Sequence, residues 1–159
     1  MAPTVARESD ATQDLATMTG AAVLGTFTIP GRPQYVRAAR TFVAQALGEL
    51  SHITVTETAV LLASELVTNA VRHSNSGTPG GTLTVVVLQT ADGVGVEVRD
   101  DGSDVSSPVV KDDVLSTGGH GLFLVESMAQ QWGYLRGEAG TTVWFWLAGC
   151  GLAGHGTFR

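Results

Sequence analysis

The hydrophobic pattern changes period several times along the chain, and each change marks an element. L-G-T-F-T-I (24–29) has strand character and is closed by P-G-R-P. Over residues 34–48, Val36, Ala39, Val43 and Leu47 recur at helical spacing, and Gly48 suits the end of that helix. A second helical pattern begins near Thr54 or Thr56, both capping types, and runs to about Ser74, where N-S-G-T-P-G-G breaks it. T-L-T-V-V-V-L-Q and V-G-V-E-V-R-D then read as strands joined by the hairpin turn T-A-D-G. Residues 101–118 hold Asp, Ser, Gly and Pro without a period and read as a long loop. G-L-F-L-V-E-S-M-A-Q-Q predicts a third helix, and W-G-Y-L-R and T-T-V-W-F-W-L a last strand pair turned by G-E-A-G. The expected architecture is α+β, a two-layer sandwich of one mixed, mostly antiparallel sheet with helices packed on one face. Residues 1–22 are expected to be a disordered leader, 23–148 the folded domain and 149–159 a flexible Gly-rich tail.

Composition narrows the classes of function. The 159 residues suit one domain, and 43% apolar against 15% charged residues favour a folded core over disorder. The net charge is −6, and the nine Lys and Arg residues are scattered singly, which argues against a nucleic-acid footprint or a polybasic membrane anchor. A single cysteine, Cys150, leaves no intrachain disulfide and no multi-cysteine metal site. No apolar run reaches the roughly 18 residues that span a bilayer. The start of the chain lacks a charged-then-apolar signal pattern, so the expected location is cytoplasmic. Trp132, Trp144 and Trp146 read as sheet packing.

Three places carry candidate chemistry. In E-L-V-T-N-A-V-R-H-S (65–74), Glu65, Asn69 and His73 are four residues apart and form one stripe on the second helix, beside Ala59, Leu62, Ala63, Leu66 and Ala70. The stripe is either the solvated edge of an amphipathic helix or a row of ligands. As ligands, a carboxylate would orient or deprotonate, an amide oxygen would hold a hard cation, and an imidazole would face an anion. Strand parity supplies the second place. Val94, Val96 and Val98 must face the core, so Asp100 continues onto the same inward face; Val143, Phe145 and Leu147 likewise carry Thr141 inward. An inward carboxylate is costly unless something donates to it, either nearby backbone amides that it caps or a bound ligand. The third place, G-G-H-G-L-F-L-V (118–125), opens a helix with small residues. It is either a plain loop or an anion cradle of amide donors. It is not a P-loop, because the only lysine, Lys111, lies elsewhere, and it does not follow the first strand of a βαβ unit.

E-L-V-T-N, V-R-D-D-G, G-G-H-G-L and G-T-T-V-W-F, in that order, resemble the GHKL (histidine kinase-like) ATPase superfamily over roughly residues 24–148. The chain has no phosphoacceptor helix pair and no room for a gyrase- or chaperone-type second domain. With its opening F-x-I-P and V-R-A-A-R, it is most similar to the bacterial anti-sigma-factor serine/threonine kinases.

The resemblance implies ATP and Mg²⁺ as ligands, with Asn69 holding the metal and Glu65 acting as general base or orienting the attacking hydroxyl. His73 would lie near the phosphates. Asp100 would accept from the adenine amino group, and Gly102 would leave room for the base. Gly119, His120, Gly121 and Leu122 would present backbone amides to the phosphates, Thr141 would complete the adenine end, and 103–118 would form an ATP lid. The implied partners are a sigma factor and an anti-sigma-factor antagonist, and such kinases are commonly homodimers; no nucleic acid or membrane is implied. One departure stands out: the family's D-x-G-x-G continues as D-D-G-S-D, so Asp104 replaces the second glycine, which bears on lid closure and turnover. Two functions are therefore carried forward, a kinase and a non-catalytic, nucleotide-gated protein-binding module.

Overall fold

The computed structural model describes residues 8–9, 20–102, 120–137 and 140–149. Its longest element is the helix α2 (Ile53–His73), which follows α1 (Val36–Leu47) and packs on α1, on α3 (His120–Met128) and on two sheet strands. The periodic positions expected for α1 are those that bury: Ala39, Val43 and Leu47 are inaccessible, and Gly48 ends the helix with φ +38. On α2, Ala59, Leu62, Ala63, Leu66, Val67 and Ala70 are buried. Burying a Leu or Val side chain contributes about 1.5–3 kcal/mol.

The start of α2 differs from the expectation of a threonine cap. His52 is the capping residue, its Nδ1 accepting from Thr54 N at 3.3 Å. Thr56 is already inside the helix, and its buried hydroxyl pairs with Ser51 Oγ at 2.6 Å. A hydroxyl committed to that buried contact is not available to cap the helix.

The sheet is built from β1 (Glu8–Ser9), β2 (Ala22–Pro30), β3 (Thr82–Gln89), β4 (Gly93–Asp100), β5 (Gln131–Gly137) and β6 (Gly140–Ala148), in the order β1-β5-β6-β4-β3-β2. Every pairing is antiparallel except β1 with β5, where Glu8 and Ser9 run parallel to Tyr134 and Leu135. This is the mixed, mostly antiparallel α+β sandwich expected from the pattern. Of the expected leader, Glu8–Ser9 form this edge pair and Ala22 opens β2; of the expected tail, only Gly149 falls among the described residues.

Strand parity sorts the sheet's side chains. Leu83, Val85 and Val87 of β3, Val94, Val96 and Val98 of β4, and Val143, Phe145 and Leu147 of β6 share one core with the three helices. The opposite face is not bare. Val86, Leu88, Leu135 and Trp144 form a second, smaller buried cluster, and Glu97 beside them is fully buried and paired with Arg99 at 2.8 Å.

β4 and β6 meet most tightly where β4 ends. Gly140 has φ +139, and a Cβ there would lie 1.9 Å from the Asp100 carbonyl oxygen. No L side chain fits that backbone without moving the end of β4. Gly140→Ala is expected to lower unfolding stability by about 1–3 kcal/mol in denaturant titration. A change below a few tenths of a kcal/mol would show that the strand end yields freely.

Candidate functional site

The stripe on α2 lies at the border of the core. Glu65 and Asn69 are half-buried, and His73 is exposed in the last turn beside Arg72, where cations complement the helix dipole. Other polar residues on this helix are held by its main chain: Ser64 Oγ donates to Leu61 O at 2.8 Å and Thr68 Oγ1 to Ser64 O at 2.7 Å. Glu65 and Asn69 make no such bond, and neither has a side-chain hydrogen-bond partner among the described residues. A carboxylate and an amide one turn apart, partly withdrawn from water and not bonded to any described residue, are available to a ligand.

Asp100 ends β4 directly opposite Thr141 of β6, which is buried. Its Oδ1 accepts from Gly102 N at 2.6 Å. Burial raises the Asp100 carboxyl above the usual carboxylate range, and the backbone amides of Gly102 and Thr141 only partly oppose it. The capping alternative is therefore realised, but it does not exhaust the group, because an ionised carboxylate has about four acceptor positions. Gly102 has φ +77, a conformation that favours glycine, and the third position of D-D-G meets that need.

A tight loop joins the two halves of the site. Asn75 N donates to Gly102 O at 2.7 Å and Asp101 N donates to Ser76 Oγ at 2.8 Å, so the C-terminal end of α2 is fastened to the turn that follows β4. Asp101 in turn accepts from Thr82 N through Oδ2 at 3.1 Å. Neither Ser76 nor Asp101 was singled out from sequence. N-S-G-T-P-G-G has the composition of any chain break, and nothing in it says that one serine will be wholly buried.

His120, Gly121 and Leu122 form the first turn of α3, where backbone amides lack partners within the helix. Gly119 and the expected lid 103–118, Asp104 included, lie outside the described residues. Among the described residues no group of three or more His, Cys, Asp and Glu could hold a metal ion. A metal at Asn69 would therefore take most of its ligands from phosphate oxygens and water, as Mg²⁺ commonly does.

An antiparallel sheet covered by helices, an inward aspartate at the end of one strand, and a Glu-to-Asn stripe on the neighbouring helix together define a nucleotide-binding domain of the histidine kinase-like type. The family model described as "Histidine kinase-like ATPase domain" matches residues 29–147, well over half the chain, and the protein belongs to that family. ATP is the ligand that membership implies. Among individual proteins it is similar to the serine-protein kinase RsbW of Listeria monocytogenes serotype 4a (strain HCC23) and serotype 4b (strain CLIP80459). Each is 29% identical over 117 residues, covering 65% of this chain and 73% of the relative. Among the described residues, no helix is long and apolar enough to cross a membrane.

Proposed function

We propose that the protein is an ATP-dependent serine/threonine protein kinase that phosphorylates an anti-sigma-factor antagonist and sequesters a sigma factor. The observation that carries this reading is the pair Glu65 and Asn69, half-buried and without a hydrogen-bond partner among the described residues. A module that only bound nucleotide would have no use for a carboxylate poised as a base. The likeness to serine-protein kinases supports the same conclusion.

In this reading the Asp100 carboxylate accepts from the adenine amino group, with Gly102 and Thr141 framing the base. The backbone amides of His120, Gly121 and Leu122 at the start of α3, and His73 at the end of α2, face the phosphates. Asn69 would hold Mg²⁺, which would supply positive charge to offset that of the phosphates. Glu65 orients the hydroxyl of the substrate serine or threonine and takes its proton as the oxygen bonds to the γ-phosphorus; the bond from that phosphorus to the bridging oxygen breaks, and ADP leaves. Phosphoryl transfer needs chiefly positioning and charge compensation, which this set of groups supplies.

Incubating the protein with γ-labelled ATP, Mg²⁺ and candidate antagonist proteins tests the proposal. Label is expected on a serine or threonine of one antagonist. ATP binding with no labelled partner would instead identify a nucleotide-gated binding module.

A further inference from the structure

We propose that Ser76 is a positioning residue for adenine recognition, coupling the helix that carries Asn69 to the carboxylate of Asp100; the inference rests on the adenine role given to Asp100 above. Ser76 is fully buried, which is unusual for a serine in a Gly-Pro-rich loop. A relay of hydrogen bonds passes through it. Ser74 Oγ donates to Ala70 O at 2.6 Å, Ser76 N donates to Ser74 Oγ at 3.0 Å, and Asp101 N donates to Ser76 Oγ at 2.8 Å. The relay starts one residue beyond Asn69 and ends one residue beyond Asp100.

The Ser76 hydroxyl is needed because the sheet ladder stops at Asp100. The pairing of β4 with β6 ends at Asp100 and Thr141, so the Asp101 N–H finds its acceptor outside the sheet. Ser76 supplies it. The surrounding backbone leaves Ser76 no other place: a Cβ on Gly31 would lie 1.9 Å from the Ser76 carbonyl oxygen, and one on Gly81 2.3 Å from it. With Asn75 N on Gly102 O, the two bonds fasten the two residues that follow Asp100, and in this scheme they hold the direction of its carboxylate. Without the hydroxyl, the Asp101 N–H is left seeking water, and the end of β4 can swing relative to α2. Ser76 touches no ligand in this scheme; it acts through Asp100.

The test compares ATP with ITP, which carries an oxo group where ATP carries the adenine amine. Dissociation constants are measured by calorimetry for the wild-type chain, Ser76→Ala, Ser76→Cys and Thr56→Ala. Thr56→Ala breaks the buried Ser51–Thr56 contact at the opposite end of α2 and controls for lost stability. The wild type is expected to prefer ATP. Ser76→Ala should lose roughly tenfold of that preference with ITP affinity little changed, since the phosphate contacts remain. Thr56→Ala should lower the melting temperature and keep the preference. Ser76→Cys, which nearly keeps the volume but offers a weaker acceptor, should fall between, and it decides the matter if Ser76→Ala does not fold. A Ser76 variant that melts lower yet discriminates as the wild type does would overturn the proposal. A wild-type protein that fails to distinguish ATP from ITP would overturn the adenine role of Asp100, and the role of Ser76 with it.

Discussion

An Asp100→Asn protein is expected to melt no lower than the wild type and to bind ATP at least tenfold more weakly, a loss of about 1.4 kcal/mol. Both halves of that result follow from one side chain. Asn retains an oxygen to accept from Gly102 N, so the turn after β4 keeps its bond. It also removes a charge that burial disfavours. A carboxyl whose folded value is raised stabilises the fold fully below its unfolded value and loses that contribution as pH rises through the folded value. Wherever Asp100 is ionised its charge is therefore a net cost to the fold, and Asn abolishes that cost. For the nucleotide the exchange is harmful, because an amide NH₂ then faces the adenine amine, donor against donor. In the wild type, ATP affinity should begin to fall on acidification at a higher pH than an ordinary aspartate would give, and the Asn protein should lack that limb. Calorimetry across pH and a thermal melt check both halves; equal ATP affinity in the two proteins would remove Asp100 from the adenine site.

Glu65→Ala is expected to cut phosphoryl transfer by about 10²–10⁴-fold, the usual range for loss of a positioned base. ATP affinity should stay within about twofold, because the adenine and phosphate contacts come from other residues. Stability should stay within about 0.5 kcal/mol, because Glu65 makes no hydrogen bond that the fold depends on. Single-turnover transfer, calorimetry and a melt separate the three quantities. Lost binding would place Glu65 on the nucleotide or its metal, and undiminished transfer would dismiss it as the base.

The architecture was legible because each element carries its own period. Val36, Ala39, Val43 and Leu47 announced α1, and the alternation through Val94, Val96 and Val98 told both the face of β4 and the inward direction of Asp100. The opposite face of the sheet was harder to read. Val86, Leu88 and Trp144 sit in runs that are apolar at every position, so alternation cannot say that both sides are buried, and nothing local marks Glu97 as wholly enclosed. Within the candidate site, the residues that sequence could propose were those that repeat at fixed spacing or continue a strand's parity: Glu65, Asn69, Asp100 and Thr141. Ser76 could not, because its surroundings include, besides the nearby Gly81, both Gly31 and Asp101, which are distant in sequence and brought to it only by the fold. The His52 cap was hidden for a similar reason, since the contact with Ser51 is what withdraws Thr56.

The tryptophans, which pack the sheet, also give the molecule an optical property. Trp146 Nε1 donates to Thr90 Oγ1 at 3.1 Å, the buried Trp144 Nε1 has no acceptor among the described residues, and Trp132 Nε1 donates to the carboxylate of Glu126. Three indoles thus sit in three electrical environments on one sheet. Only Trp132 is bonded to α3, the helix whose first turn holds His120, Gly121 and Leu122. Its emission is expected to respond to the seat of that helix, which would give the protein its own fluorophore for following the helix, with no dye to attach.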